Sequence, residues 1–282
     1  MNILTFDIEE WFHLLDHSST KTSKEWKSFE VRIHQNMDRI FEVLELTRTK
    51  ATFLVVGWIA EQYPEVVRKM VDRGYEIGSH THMHQLVYDM GPRVFEKDLE
   101  RSVKTLEDVS GQKVRIFRAP GFSITENEKW AFEIMHQYGI EIDCSVFPSH
   151  HAHGGFPSIQ QSAPTIIAYN GMHIKEFPIS HKHILGKNII FSGGGYFRLF
   201  PYSFIKQWTK QSDYLMSYLH PRDFDATQPM IPDLPLSRKF KSYVGLKSAT
   251  PKLHRWLTDF NFIDIATAEG MVDWEEVEVV RV

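Results

Sequence analysis

The stretch Ile3-Leu4-Thr5-Phe6-Asp7-Ile8-Glu9 begins as a short apolar run and ends on two carboxylates two residues apart. In an extended chain, residues i and i+2 project from one face, so Asp7 and Glu9 point the same way from the end of a strand candidate over Ile3–Phe6. Other short β-branched or apolar runs follow at Ala51–Val56, Glu76–Gly78, Arg115–Arg118, Ile140–Ser145, Thr165–Tyr169, Lys175–Pro178, Tyr214–Leu219 and Phe262–Ile265. Helical patterns separate them: Met37, Ile40, Phe41 and Leu44 recur at helical spacing, as do Phe95, Leu99, Val103, Leu106 and Val109 ahead of Gly111. Pro64 is placed to open a helix and Gly74 to close it, and Gly139 closes a segment from Trp130 to Tyr138. This alternation predicts an α/β fold of repeated βα units, as a parallel barrel or a doubly wound sheet. Both architectures bind ligands at the carboxyl ends of their strands.

The length of 282 residues suits one such domain over 1–282. From Pro221 to Pro251 the pattern breaks, with Pro229, Pro232 and Pro235 set among Arg238, Lys239, Lys241 and Lys247, and a long surface loop is expected there. Apolar residues at 42% and charged residues at 24% allow a full core and exclude disordered and fibrous classes. A net charge of −4 provides no basic face for nucleic acid. No run approaches the ~18 apolar residues of a membrane span, and Met1–Asp7 has neither the charged nor the long apolar region of a leader. The single cysteine, Cys144, has no internal disulfide partner and reads as a small core residue, so a cytoplasmic location is expected. The acidic, hydrophobic tail Trp274–Val282 can pack on its own sheet or on a neighbour, which leaves an oligomer open.

The chemistry-bearing residues gather at strand ends. His80 and His84, four apart after Glu76–Gly78, have a spacing that suits chelation, although two imidazoles among 15 can also be incidental surface residues. His82 lies between them and should point elsewhere. With an acid from Asp7-Ile8-Glu9 they supply three N/O ligands to a divalent ion and leave positions open for water and substrate. Phe117-Arg118-Ala119-Pro120-Gly121-Phe122 places a guanidinium beside a Pro-Gly turn whose backbone N–H can face an oxyanion. His220, in Tyr218-Leu219-His220-Pro221, is placed to protonate a leaving amine, and Asp143 to orient that histidine. Gly193-Gly194-Gly195 lacks the Lys-Ser/Thr of a phosphate loop and reads as a flexible turn. No Gly-x-Ser-x-Gly elbow supports a serine hydrolase.

In this order, Asp7-Ile8-Glu9, His80 with His84, Arg118 with Pro120, Asp143 and Leu219-His220 resemble the five motifs of the polysaccharide deacetylases, carbohydrate esterase family 4 with the NodB homology domain. A closer resemblance runs from Phe6 to about Ala266, to deacetylases found near exopolysaccharide export loci. It is carried by Asp7-Ile8-Glu9-Glu10-Trp11-Phe12-His13, Gly193 to Leu199, Tyr218 to Pro221 and Tyr243-Val244-Gly245-Leu246. Three departures stand out. The acids of the first motif are two apart instead of adjacent, which favours Glu9 over Glu10 as ligand. The third motif reads Arg-Ala-Pro-Gly where Arg-x-Pro-Tyr is common. Arg222 and Asp223 stand where Trp-Glu usually follows His-Pro.

The resemblance implies a distorted (β/α)7 barrel and a metal-dependent N-deacetylase. Zinc, or another divalent ion such as cobalt or nickel, is expected on Glu9, His80 and His84. Asp7 is expected as base, held by a bidentate Arg118, and His220 as acid, held by Asp143. Pro120, Gly121, Phe122 and Tyr196 are expected around an N-acylated carbohydrate. Two rivals remain from other classes: a catalytically silent glycan-binding member, and an amidohydrolase of small non-sugar amides.

Overall fold

The strand candidates that end in acids or histidines form the centre of a mixed sheet in this computed structural model, which describes residues 1–15, 22–148, 153–159, 162–184, 186–231 and 234–282. The strands are β1 (Asn2–Ile3), β2 (Thr5–Ile8), β3 (Thr52–Val55), β4 (Glu76–Ser79), β5 (Ile116–Phe117), β6 (Ile142–Asp143), β7 (Thr165–Tyr169), β8 (Met172–Glu176), β9 (Lys182–Ile184), β10 (Lys187–Ile189), β11 (Leu215–Met216) and β12 (Val279–Arg281). Eight of them form one sheet in the order β12-β7-β8-β6-β5-β4-β3-β2, parallel throughout except for the antiparallel β7–β8 pair. Strands β2 and β3 are buried along their whole length, as expected of parallel strands covered on both faces.

Helices cover the crossovers. The β2–β3 connection carries Ile33–Thr47, whose Met37, Ile40, Phe41 and Leu44 are all buried. Pro64–Asp72 opens on Pro64, and the chain turns at Gly74 with φ +74° before β4. Val87–Ser110 buries Phe95, Leu99, Val103 and Leu106 and is kinked at Gly91, before Pro92. Trp130–Gln137 leads through Gly139, with φ +80°, to β6.

Beyond β2 the chain is extended by β1, which pairs in parallel with β11, and by a parallel bridge from Phe6 to Leu219. Asp7 N donates to Leu219 O at 2.8 Å, which delivers His220 to the end of β2 that carries Asp7.

Several expectations are corrected. The segment 221–251 is no long loop: it holds a 3-10 turn at Pro221–Phe224, a helix at Leu236–Tyr243 that follows directly on Pro235, and the start of a helix over Leu246–Asp259 that accommodates Pro251. Pro221 opens the 3-10 turn, Pro235 precedes a helix and Pro251 lies within one, while Pro229 lies in irregular chain. Pro232 lies outside the described residues. Phe262–Ile265 contributes one bridge, Ile3 to Ile263, and then the helix Ile265–Met271. The hairpin β9–β10 went unread. The tail packs on its own sheet: β12 pairs with β7, and Trp274 lies edge-on to Phe177 with ring centroids 5.5 Å apart. Gly193-Gly194-Gly195 is no flexible turn but the start of the helix Gly194–Leu199, and a Cβ on Gly193 would fall 1.9 Å from the Tyr218 ring.

Candidate active site

Glu9, His80 and His84 converge. One ligand atom from each lies within 4.8 Å of the others, and all three residues are buried. The imidazoles meet through a tight loop after β4 and not along a helix. Thr81 and His84 adopt left-handed backbone at φ +61° and +50°, conformations that non-glycine residues rarely take. Asp98 holds this loop by accepting from His82 N at 2.6 Å and Met83 N at 2.9 Å, while Gly57 N and Trp58 N donate to Thr81 O and His82 O. His82 turns away from the cluster toward Glu61, at 3.0 Å.

The donor set fits a divalent ion. His80 donates from Nδ1 to Arg118 O at 2.7 Å, which fixes the ring and directs Nε2 away from that bond. Burial holds the His80 imidazole down at about 4 against the pull of Asp7, so it is neutral near pH 7, as a ligand must be. Glu9 Oε2 lies 2.6 Å from His84 Nε2. Burial alone would raise the Glu9 carboxyl, but His84, His220 and His13 outweigh it and bring it to about 2. Glu10 faces the other way: its Oε1 accepts from Arg32 N at 2.7 Å and Ile33 N at 2.8 Å, at the start of the helix Ile33–Thr47. The acid that joins the histidines is therefore Glu9.

Beside this cluster sit two acid–base pairs. Arg118, fully buried, donates from Nη1 to Asp7 Oδ1 at 2.6 Å. The same nitrogen also reaches Thr5 Oγ1 at 2.8 Å while Nε serves Cys144 O at 3.2 Å, so the expected bidentate fork is corrected to a single charge-assisted bond. His220 Nε2 stands 3.9 Å from Asp7 Oδ2. Its Nδ1 donates to Asp223 Oδ2 at 3.1 Å, and its backbone N donates to the same oxygen at 2.9 Å. Burial depresses this imidazole, but the Asp223 bond and the charges of Asp223, Glu9 and Asp7 prevail and raise it to about 9. Arg198 anchors Asp223 in turn, donating from Nε to Oδ1 at 2.9 Å.

Asp143 does not hold His220. It accepts from Ser145 Oγ at 2.5 Å and lies beside Glu176, its register partner across β6 and β8, because β6 runs several strands away from His220. The residue that holds His220 is Asp223, and its sequence signal was an acid three residues past a histidine, across Pro221, as in a capping box. Tyr218 was also missed: its ring is edge-on to Phe122 at 5.0 Å and to His220 at 5.9 Å, so it ties the Pro120–Phe122 turn to His220. In that turn Gly121 and Phe122 have φ +62° and +57°. Tyr196 is 40% exposed and stacked on Phe200, at the rim and not in the centre. Arg222 is buried, and its Nη2 has no acceptor among the described residues.

This fold and this site define a class. Residues 17–142 match the family model described as polysaccharide deacetylase, and residues 144–269 match a domain of unknown function, DUF3473. Over 17–142, a little under half of its length, the chain is thus similar to polysaccharide deacetylases. The first match includes His80, His84 and Arg118, whereas Asp7, Glu9 and His220 lie outside it.

Among individual relatives, a peptidoglycan-N-acetylglucosamine deacetylase of Bacillus cereus is 29% identical over 34% of this chain and 35% of its own length. A chitooligosaccharide deacetylase of Azorhizobium caulinodans is 34% identical over 29% of this chain and 39% of its own. The matched segments thus span little more than a third of these relatives. Of solved structures, a Mycobacterium smegmatis protein assigned as a polysaccharide deacetylase superposes with TM-score 0.66 over 99% of this chain and 92% of its own, at 16% identity. A family 4 pseudoenzyme from Bacillus anthracis gives 0.52 over 100% and 69%, at 12% identity. At these identities the likeness is one of fold.

Proposed function

We propose that this protein is a metal-dependent N-deacetylase that hydrolyses the amide of an N-acetylated sugar belonging to a surface polysaccharide or its precursor. The observation that carries the reading is the convergence, at one end of the sheet, of Glu9, His80 and His84 with a guanidinium-held Asp7 and a carboxylate-held His220. Glu9, His80 and His84 would hold zinc, cobalt or nickel, and such an ion supplies Lewis-acid activation of the amide carbonyl and of water.

The chain's own residues do the rest. Asp7, oriented by Arg118, takes a proton from the attacking water. The Gly121 N–H faces the oxyanion, since Ala119 N and Phe122 N are bonded within the protein and Pro120 has none. His220, protonated at neutral pH, donates from Nε2 to the departing nitrogen, so that one amide and one water become one amine and one acetic acid, which ionises to acetate. Tyr196 offers a sugar ring a stacking face. We also read the sheet, continued past β2 by the Phe6–Leu219 bridge, as a distorted (β/α)7 barrel, and we place the chain in the exopolysaccharide-associated branch of the family on its Tyr218-Leu219-His220-Pro221 and Gly193–Leu199 segments. A cytoplasmic setting fits the lone, buried Cys144.

The test is elemental analysis of the purified protein beside His80→Ala/His84→Ala, followed by acetate release from N-acetylated sugars. About one equivalent of metal in the parent, almost none in the double variant, and acetate release only from the parent are expected. A parent that takes up no zinc, cobalt or nickel sinks the metal mechanism. Metal binding without acetate release leaves the silent, glycan-binding member, the reading for which the pseudoenzyme of the same fold is a precedent.

A further inference from the structure

Asp143 and Glu176 are register partners on adjacent parallel strands, and both are wholly buried. Among the described residues neither is ion-paired with a Lys, Arg or His, and each keeps one oxygen, Asp143 Oδ2 and Glu176 Oε2, that no donor reaches. Two bare carboxylates cannot share a site without water or a cation, whereas a single proton between them satisfies both orphan oxygens. The remaining contacts say where it resides. Asp143 is the better acceptor site, taking Ser145 Oγ at 2.5 Å, while Glu176 takes only Val146 N, at 3.2 Å. Burial raises both carboxyls, Glu176 well above its ordinary value. The titratable groups facing the pair are Arg118, whose Nη1 serves Asp7 and whose Nη2 has no acceptor among the described residues, and Cys144 and Tyr214, which burial keeps neutral.

The pair is wired to the site. Ser145 Oγ, which donates to Asp143, accepts from Ala119 N at 2.7 Å, and Arg118 Nε donates to Cys144 O. The segment 143–146 is therefore a bracket for the turn whose Arg118 side chain holds Asp7 and whose Arg118 carbonyl fixes His80. We propose that Glu176 is a positioning residue which, as the neutral acid, donates its proton to the Asp143 carboxylate and so holds the Arg118–Phe122 turn in register with Asp7 and His80. For its catalytic consequence the inference rests on the deacetylase reading; the proton sharing stands without it.

The two carboxyls then differ in what they tolerate. Glu176→Gln replaces the O–H donor with an amide N–H and should keep zinc affinity and acetate release close to the parent. Asp143→Asn removes the anion that accepts from Ser145 and should lower both by about 10–100-fold. In the infrared spectrum at neutral pH, the parent should show the C=O stretch of a buried neutral carboxyl that Glu176→Gln lacks. Equal losses in the two variants, or no such band in the parent, would overturn the proposal. If the parent releases no acetate, the deacetylase reading fails by itself, and the infrared band together with zinc affinity by calorimetry still decides this one.

Discussion

His220 is the residue whose surroundings set the pH behaviour. Held at about 9 by Asp223, it is the protonated acid at neutral pH, and that form is lost as pH rises through about 9. We predict a fall in kcat/KM above that pH. In Asp223→Asn the hydrogen-bonded charge is gone, and the alkaline limb should move down toward the ordinary imidazole range of ~6.5. Acetate-release profiles check this, and a limb that stays in place would assign the titration to another group. Asp7→Asn keeps the volume but not the base, so it should retain metal while losing about 10²–10⁴ in kcat. Full activity in that variant with metal bound would refute the role given to Asp7. The neighbouring acids separate in the same way. Glu9→Ala should abolish metal uptake, whereas Glu10→Ala should bind metal normally.

At the scale of elements, Glu10 belongs to the helix Ile33–Thr47. Its Oε1 satisfies two N–H groups at a helix start where Arg32 supplies no side-chain cap. Removing it should cost about 1–3 kcal/mol, read as a lower urea midpoint with an unchanged slope. The β4 loop gives a second prediction. A methyl on Gly57 would meet His82 Nδ1 at 2.5 Å and Ser102 Cα at 3.1 Å, in a loop already strained at Thr81 and His84. Gly57→Ala should push the His80–His84 loop and weaken zinc binding more than it lowers stability, which overpacking alone puts at roughly 1–3 kcal/mol. Calorimetric titration with zinc beside thermal unfolding separates the two effects.

At the scale of the molecule, β12 and Trp274 close one edge of the sheet. Trp274 Nε1 donates to Glu269 O at 2.9 Å, and Lys175 lies 5.0 Å above its ring. Deleting 273–282 would bare the β7 edge and the Phe177 side chain. We expect a loss of about 2 kcal/mol, roughly 4–8 °C in Tm, with increased light scattering on heating, while the metal site at the far edge stays intact. Scanning calorimetry and metal analysis of the truncated protein test both halves of that expectation. The two family matches meet near residue 143 without dividing the sheet, because β6 pairs with β5 on one side and β8 on the other.

The order of elements and the residues of the candidate metal cluster were legible along the chain, because both rest on local rules. Strand runs, helix periodicity and Pro or Gly stops mark the βα units, and a carboxylate or a pair of imidazoles after a strand marks a strand-end site. The choice of Glu9 over Glu10 came from the resemblance to family members whose first-motif acids stand two apart, and the structure brings Glu9 to the histidines. What local pattern could not reach was pairing across the fold. Asp143 and Asp223 are both acids near strand ends, and only the parallel bridge of Leu219 to Phe6 and the 3-10 turn at Pro221 decide that Asp223 serves His220. The 221–251 segment failed for a related reason: Pro235 stands at a helix start and Pro251 inside a helix, and local pattern does not say which helices packing stabilises in spite of a proline. Spacing determined which groups could do chemistry; long-range hydrogen bonding between strands distant in sequence decided which of them act together.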